Sequence, residues 1–349
     1  MRVDVLIVGQ GLAGTAVALA LRERGKRVFV VDRDEAVTSS KIAAGLITPV
    51  TGKNLSLSWR IAELWPVAKA FWQDTEDKLG ASFLHEMSIT RLFKDEEETK
   101  RWESRKTTAG IADFLDDEFK PPPLDGKVRA EFGGFTMKKS GWLDVPKMLM
   151  AVRKTLEAES SFAIGSVESE SLTETEDGYR WNEVEAERVV FCQGFAAAKN
   201  PLFDSVSWRA AKGEIIDVRF EETFSNDQIL NRGSWLLPTE DGIFRSGATY
   251  AWDRLDTEPT GEARETLCER LEFLTNTPFE IIGQSAAVRP IIRESKLLMG
   301  WHPTKAKIGF FNGLGSKGVL TAPFFARQFA AALDGDGGIE PDVDFRKNL

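Results

Sequence analysis

The hydrophobic pattern of the first 33 residues predicts a strand, a helix and a second strand. Residues 3–8 form an apolar run typical of a buried parallel strand, and a glycine-rich turn follows it directly. A helical pattern with its apolar side at residues 16–21 comes next and ends at Gly25. Residues 28–31 then predict a second buried strand, with Asp32 at its tip. This order indicates a βαβ unit.

Parallel elements of this kind recur only in the middle of the chain and at its end. Residues 188–194 predict an apolar strand that ends in a glycine turn, and residues 307–312 predict another, followed by a glycine-rich turn and a helix over 319–333. The segment after Asp334 is predicted to be loose. The intervening pattern predicts helices over 59–79, 95–106, 264–274 and from the N-cap Asp144 onward, a hairpin over 170–181, and strands over 88–93, 162–168, 213–220, 234–238, 242–250 and 280–289.

Length and charge narrow the class of protein. A chain of 349 residues exceeds the size at which one core usually stops growing, so we expect two packed domains. The net charge of −9 gives no electrostatic footprint for nucleic acid, although a local basic patch stays possible. No apolar run is long enough to span a membrane.

The small numbers of cysteine and histidine residues argue against several kinds of structural and catalytic site. Cys192 and Cys268 cannot form a disulfide framework and fit a reducing compartment, which favours a cytoplasmic location. The two histidines, His85 and His302, argue against a histidine-based metal site and against a Ser-His-Asp triad.

The turn GQGLAG after the first strand has the composition of a dinucleotide-binding loop. Gly9 permits the tight turn, Gly11 lets the backbone approach a pyrophosphate, and Gly14 brings the helix close to the sheet. The helix N-terminus offers free N–H groups to the phosphates. Asp32 lies about twenty residues further on, where a carboxylate holds the ribose hydroxyls and repels the 2′-phosphate of NADP. A glycine turn used only for packing is the alternative.

Four segments together resemble one family. VLIVGQGLAG…VVDRD, RVVFCQGF, SAAVRPIIRESKLLMG and FFNGLGSKGVLTAP follow one another as in the FAD-dependent oxidoreductases of the D-amino-acid oxidase and glycine oxidase type. The block IAAGLITPVTGK resembles a bacterial subgroup of that family. The same fold class occurs as the flavin domain of a tRNA-modifying enzyme.

The resemblance implies an α/β (α+β) two-domain fold. A glutathione-reductase-type, Rossmann-like FAD-binding domain would comprise residues 1–80, 141–215 and 285–349. An interleaved, antiparallel β-rich substrate domain would comprise residues 81–140 and 216–284.

The resemblance also implies which residues hold FAD non-covalently. Residues 39–46 would wrap the pyrophosphate and approach the ring, unless they form a plain surface loop. The loop at 313–318 would stabilise negative charge on the flavin N1–C2=O locus, unless it is a structural turn. Cys192 is expected to be a small buried residue and not a nucleophile. The implied cofactor residues are Gly9, Gly11, Leu12, Ala13, Gly14, Asp32, Arg33, Ser40, Lys41, Ala44, Gly45, Leu46, Val167, Cys192, Gln193, Gly194, Gly313, Leu314, Gly315, Ser316, Lys317, Gly318 and Val319.

Three residues are the implied catalytic candidates. Arg289 matches the arginine that holds the substrate carboxylate, which suits a planar, bidentate guanidinium; a salt bridge to Glu294 or Asp217 is the alternative. Tyr250 either lines the pocket through its hydroxyl or packs in the core. Lys317 either adds positive charge near the flavin or is solvent-exposed. The proline that often follows the acid in the Arg-Pro segment of the family is missing here.

The implied reaction is oxidation of the C–N bond of a small amino acid or secondary amine by hydride transfer to flavin N5. Oxygen or another compound would accept the electrons. One alternative is oxidation of a carboxymethylaminomethyl group on a tRNA wobble uridine, against which the net charge of −9 and the lack of a fused methyltransferase domain stand. A second alternative is a flavin-binding redox sensor without turnover.

Overall fold

The protein, described by a computed structural model, has seven α-helices and twenty strands within residues 1–116, 126–225, 227–292 and 296–347. The helices are α1 (Leu12–Glu23), α2 (Ser39–Ile42), α3 (Ile61–Leu79), α4 (Glu96–Arg105), α5 (Val145–Ala158), α6 (Gly261–Leu274) and α7 (Gly318–Asp334). The strands are β1 (Arg2–Val8), β2 (Val28–Asp32), β3 (Leu46–Ile47), β4 (Val50–Thr51), β5 (Ser56–Leu57), β6 (Leu84–Glu86), β7 (Ile89–Leu92), β8 (Gly134–Met137), β9 (Gly141–Leu143), β10 (Phe162–Ile164), β11 (Thr173–Glu174), β12 (Tyr179–Trp181), β13 (Val184–Phe191), β14 (Ala211–Phe220), β15 (Ile229–Asn231), β16 (Trp235–Pro238), β17 (Ile243–Gly247), β18 (Phe279–Arg289), β19 (Leu298–Trp301) and β20 (Ile308–Asn312).

The first large sheet is built around the N-terminal βαβ unit. Its parallel strands run in the order β10-β2-β1-β13, and β20 continues the parallel set beside the second half of β13. The first half of β13 instead pairs with the antiparallel β11–β12 hairpin. Helices α1, α3, α5 and α7 bury their apolar sides against one face of this sheet. The predicted parallel strands at 3–8, 28–31, 188–194 and 307–312 and the predicted hairpin over 170–181 are therefore confirmed.

The second large sheet is mostly antiparallel and has the order β18-β14-β17-β16-β15-β7-β8. Only the contact of β15 with β7 is parallel. Helix α6 packs on one face through Leu267, Leu271 and Leu274, which are fully buried. The other face of the second sheet lies opposite the first sheet. The predicted antiparallel strands and the helix over 264–274 are confirmed, although the strand predicted over 242–250 ends at Gly247.

Each sheet takes its strands from separated stretches of the chain. The first uses segments near residues 2–32, 162–191 and 298–312, whereas the second uses segments near 89–137 and 211–289. The long strands β14 and β18 pair along ten residues. The exact division into a flavin domain and a substrate domain stays a prediction.

Local capping explains why several helices begin where they do. Asp144, as predicted, accepts a hydrogen bond from Lys147 N at 3.0 Å at the start of α5. Asp95 and Thr260 cap α4 and α6 in the same way. Each side-chain oxygen satisfies a backbone N–H that the first helical turn leaves unpaired.

The segment after Asp334 is not loose, so that prediction is wrong. Val343 and Phe345 are fully buried, and Met299 N donates to Val343 O at 2.8 Å. The Phe345 ring packs against Phe310 at a centroid distance of 5.0 Å. Two buried apolar residues in a polar, glycine-containing stretch therefore fix the segment on the first sheet.

Phe345→Ala should lower the free energy of unfolding by about 3–5 kcal/mol, because it leaves a cavity among buried aromatic rings. Urea unfolding followed by circular dichroism measures the loss. Phe132→Ala, at a ring that is 37% exposed, is the matched control and should change stability far less. Equal effects of the two substitutions would show that the tail contributes no packing.

Candidate functional site

A large cleft lies between the two sheets and has a volume of about 860 Å³. The carboxyl ends of the parallel strands open into it at Val8, Asp32, Cys192 and Asn312. The facing sheet supplies the opposite wall. Ligands of open α/β sheets bind at such carboxyl ends, so the cleft is the candidate site.

The turn after β1 depends on backbone contacts that only glycine allows. Gly9 has φ +103°, and a Cβ there would lie 2.6 Å from Cys192 O. A Cβ at Gly14 would lie 1.8 Å from Gly9 O, so the helix could not approach the strand as it does. Gly11 differs, since its φ of −77° suits any residue and its nearest neighbour is Ser40 Oγ. Gly9 and Gly14 thus shape the turn, whereas Gly11 keeps its cleft side open.

Asp32 is held at the corner of the cleft by backbone amides. Its Oδ2 accepts from Gln10 N at 2.6 Å and its Oδ1 from Asp34 N at 2.8 Å. Arg153 on α5 lies 3.6 Å from Oδ1 and donates to the Gln10 side chain at 2.7 Å. The carboxylate is therefore oriented before any ribose hydroxyl reaches it.

Residues 39–46 wrap over the start of α1. Ser40 Oγ accepts from Leu12 N at 3.0 Å, so it occupies the first free amide of the helix N-terminus. Gly45 has φ +67°, and a Cβ there would lie 1.9 Å from Leu143 O. The segment is a wall of the cleft and not a plain surface loop.

Arg245 on β17 joins this wall to the facing sheet. Its guanidinium donates to Ile42 O at 3.0 Å and to Ala43 O at 3.4 Å, and it pairs with Asp217 at 3.2 Å. Sequence reasoning missed Arg245 because nothing local marks an arginine whose partners lie some 200 positions away.

A side-chain hydrogen bond joins the loop that follows β13 to the end of β20. Asn312 is almost fully buried, donates from Nδ2 to Gly194 O at 2.9 Å, and accepts from Gly313 N at 2.8 Å. Burial raises the pKa of Cys192 far above its ordinary range, which fits a small packed residue and not a thiolate nucleophile. The predicted burial of Cys192 is confirmed.

Most of the predicted site residues lie in the wall of this one cleft. The exceptions are Gly14, Gly313 and Lys317, which stand beside it. The roles of those in the wall stay predictions. They are Gly9, Gly11, Leu12, Ala13, Asp32, Arg33, Ser40, Lys41, Ala44, Gly45, Leu46, Val167, Cys192, Gln193, Gly194, Tyr250, Arg289, Leu314, Gly315, Ser316, Gly318 and Val319.

Arg289 lies flat in the cleft wall. A Cβ on Gly213 would lie 2.1 Å from the guanidinium, so the missing side chain of Gly213 is what makes room for it. The Tyr250 ring covers the guanidinium at 4.1 Å, and Nη1 donates to Thr249 O at 3.1 Å. Asp217 pairs with Arg245 instead, and Glu294 lies outside the described residues.

The electrostatics of Arg289 favour an anion. Within the described ranges no carboxylate pairs with it, and burial lowers its pKa from the ordinary value because the charge is partly desolvated. Arginine nevertheless stays protonated at neutral pH. Tyr250 is half exposed, so the alternative that it packs in the core is wrong.

The floor of the cleft is a row of residues across the second sheet. Asn231, Trp235, Gly247 and Ile215 are register neighbours on four successive strands, and all of them line the cleft. The Asn231 Oδ1 atom is buried and has no hydrogen-bond partner. Sequence reasoning missed this acceptor because a single asparagine in a short strand carries no signal.

The comparisons with known proteins agree with this geometry. The sequence matches the family described as "FAD dependent oxidoreductase" over residues 4–332. Among solved structures, glycine oxidase from Geobacillus kaustophilus superimposes with a TM-score of 0.80 at 20% identity, covering 97% of this chain and 96% of that one. Iminodiacetate oxidase from Chelativorans superimposes with a TM-score of 0.78 at 17% identity, with 97% of each chain covered.

The curated relatives are longer proteins. The tRNA 5-methylaminomethyl-2-thiouridine biosynthesis bifunctional protein MnmC of Idiomarina loihiensis is 22% identical over 96% of this chain, and this chain covers 56% of that protein. The chain thus spans a little over half the length of the curated relatives it matches.

The fold and the cleft define a dinucleotide-binding redox protein. The family match, across nearly the whole chain, shows more: the protein belongs to the FAD-dependent oxidoreductases of the D-amino-acid oxidase type, and its cofactor is FAD. The cleft fits that group, because Gly11 places no side chain over the N-terminus of α1 and the oriented carboxylate of Asp32 stands at the end of β2. No helix of the described residues is long and apolar enough to cross a membrane.

Gly11→Val should abolish FAD binding while the apoprotein still folds, because the new side chain enters the pyrophosphate approach without backbone strain. The flavin absorption band after reconstitution and the thermal melting temperature of the apoprotein measure the two effects separately. Gly337→Ala, at a glycine with open space around it and no left-handed backbone, is a control that should keep FAD. FAD retained by Gly11→Val would place the pyrophosphate elsewhere.

Lys317 should make the stability of the apoprotein depend on pH. Burial lowers the pKa of Lys317 to about 8 from 10.5, so the unfolded chain binds more protons between these two pH values. The free energy of unfolding should therefore rise as the pH increases across this interval.

Lys317→Met should flatten that rise and increase stability at pH 7, where the buried charge is costly. Urea unfolding at a series of pH values measures both effects. Lys53→Met, at an exposed lysine, is the control. An unchanged slope in Lys317→Met would show that the ammonium is solvated in the folded protein.

Proposed function

We propose that the protein oxidises the C–N bond of a small amino acid or secondary amine that carries a carboxylate. The observation that carries this proposal is Arg289, a partly buried cation in the cleft wall with no carboxylate partner among the residues described. A planar guanidinium binds a carboxylate through two parallel hydrogen bonds and so fixes its orientation.

The protein's own contribution to this reaction is positioning. Arg289 would hold the carboxylate, and the apolar floor around Trp235 and Ile215 would exclude water from the α-carbon. Bound FAD would supply the hydride acceptor for the bond at that carbon. The amine nitrogen loses its proton, and the resulting imine is hydrolysed by water to a carbonyl compound and an amine. No protein base is required, provided that the substrate binds as the free amine.

A second candidate is the same oxidation on an amine attached to tRNA. It is favoured by the match to MnmC, whose name refers to the biosynthesis of 5-methylaminomethyl-2-thiouridine in tRNA. The substrate would again present a glycine-like amine, which Arg289 suits equally well. Against it stands the net charge of −9. For either substrate we propose a cytoplasmic location, since Cys192 and Cys268 are both free thiols.

An anaerobic screen tests the reaction itself. Amino acids and N-methyl amines are added to the FAD-loaded protein, and bleaching of the flavin band is followed. We expect bleaching by at least one amine that carries a carboxylate. Bleaching by none of them would overturn the proposal.

Arg289→Lys should keep FAD bound and reduce kcat/KM for a carboxylate-bearing substrate roughly tenfold to a hundredfold. Lysine retains the charge but lacks the bidentate fork, and a lost charge-assisted pair costs about 1.5–3 kcal/mol. Arg289→Ala should cost more. Amines without a carboxylate should respond little to either change, and an unchanged preference in both variants would make Arg289 structural.

Gly213→Ala tests the same site without replacing the arginine. The added Cβ must displace the guanidinium, so it should raise KM for carboxylated substrates and leave FAD binding intact. Gly261→Ala, at a glycine with nothing within 4 Å of the added carbon, is the matched control.

Binding to tRNA separates the two candidates. Filter binding across a salt series should show steep salt dependence if phosphate contacts contribute. Weak binding that does not change with salt would exclude the tRNA substrate.

A further inference from the structure

The segment that carries Tyr250 is held against strand β14 at two points. Ala251 exchanges two backbone hydrogen bonds with Lys212, of 2.8 and 3.0 Å. Thr249 N donates to Glu214 O at 3.1 Å, and Thr249 Oγ1 accepts from Glu214 N at 2.9 Å. Tyr250 is therefore fixed opposite the residue of β14 that lies between these two attachment points.

That residue is Gly213, on which the Arg289 guanidinium lies. Arg289 pairs in register with Ala211, so its side chain runs two residues along β14 to reach Gly213. A Cβ on Gly213 would lie 2.1 Å from Cζ, from Nη1 and from Nη2 of the arginine. Because these three distances are equal and longer than a C–N bond, the glycine lies against one face of the planar group.

The Tyr250 ring covers the guanidinium from a second side. Its centroid lies 4.1 Å from Cζ of Arg289, and the side next to Gly213 is already occupied by backbone. Nη1 donates to Thr249 O at 3.1 Å, which fixes the group within its own plane. A flat cation enclosed in this way presents its remaining N–H groups at an edge, as two parallel hydrogen bonds to a carboxylate require.

The ring of Tyr250, and not its hydroxyl, makes this contact. In the described part of the chain the hydroxyl has no hydrogen-bond partner, whereas the ring lies over a cation. The attraction between a cation and an aromatic ring comes from the negative face of the ring, which phenylalanine also has. The structure thus predicts that the hydroxyl can be removed without loss of the contact.

A second ring supports Tyr250 from outside the cleft wall. The Trp252 ring centroid lies 6.0 Å from that of Tyr250, and the Arg209 guanidinium lies 5.0 Å from the Trp252 ring. Arg209 N in turn donates to Ile291 O at 2.8 Å, two residues beyond Arg289. The Tyr250 ring is thus held in a series of contacts that begins and ends beside the arginine.

We propose that Tyr250 is a positioning residue whose ring holds the Arg289 guanidinium flat against Gly213, so that the edge of the group is in place before a substrate carboxylate arrives. The inference rests on the proposed function, because it takes Arg289 as the carboxylate anchor. Without the ring, the ligand itself would have to order a long side chain, which opposes binding.

Three substitutions separate the ring from the hydroxyl and from apolar bulk. Tyr250→Phe keeps the ring, and Tyr250→Leu keeps bulk without a ring. Trp59→Leu, at an exposed ring outside the cleft wall, is the matched control. Because Tyr250 is half exposed, we expect both of its variants to fold, which their melting temperatures check.

Calorimetric titration with methoxyacetate, which is N-methylglycine with oxygen in place of nitrogen, measures carboxylate affinity in the FAD-loaded variants. Tyr250→Leu should bind it roughly threefold to tenfold more weakly, the cost of ordering one side chain on binding. Tyr250→Phe should keep most of the affinity, and Trp59→Leu should match the unmodified protein. In turnover, Tyr250→Leu should raise KM for carboxylated amines and change little for amines without a carboxylate.

Two results would overturn the positioning role. An unchanged affinity in Tyr250→Leu would show that the arginine keeps its place without the ring. A loss in Tyr250→Phe as large as that in Tyr250→Leu would assign the effect to the hydroxyl.

Arg289→Lys separates this inference from the proposed function. Binding of methoxyacetate that is weakened in Arg289→Lys but unchanged in Tyr250→Leu would overturn the positioning role alone. Binding that is absent from the unmodified protein, or that Arg289→Lys leaves unchanged, would overturn the carboxylate anchor and the positioning role with it.

Discussion

The close approach of the first helix to the first strand is the constraint on which the site depends. A side chain at Gly14 would collide with Gly9 O, and one at Gly9 would collide with Cys192 O. Two segments far apart in sequence, residues 9–14 and Cys192, therefore meet through bare backbone. This contact aims the N-terminus of α1 into the cleft, where its free amides and dipole favour negative charge.

The second large sheet also depends on a missing side chain, which here makes room for the arginine that we propose binds the substrate carboxylate. Gly213 has no side chain, and the space above it holds the Arg289 guanidinium. The charged group stays in place through one backbone oxygen and one aromatic ring, so its remaining donors face the cleft. Buried Lys212 and Glu214, on either side of Gly213, satisfy their charges away from the cleft and thus do not compete with Arg289.

Much of the flavin half could be predicted because its signals are local. The turn from Gly9 to Gly14 and the acid Asp32 follow one another within a single βαβ unit. The position of Arg289 could be predicted only through a family resemblance, and its support by Gly213 was invisible because the two residues belong to different strands. Arg153 and Arg245 act across the fold and carry no local pattern. The buried tail was missed because Val343 and Phe345 stand among polar neighbours, where two apolar residues define no periodicity.

The contact of Arg245 with the carbonyl oxygens of Ile42 and Ala43 links the cleft wall formed by residues 39–46 to the second large sheet. Under the proposed function, a ligand that orders one side would lower the entropic cost of ordering the other. By thermodynamic reciprocity, any factor by which FAD strengthened carboxylate binding would equally be the factor by which the carboxylate strengthened retention of FAD. Cofactor loading and substrate affinity would then form one linked equilibrium, and the hydrogen-bonded Arg245 would set part of its coupling.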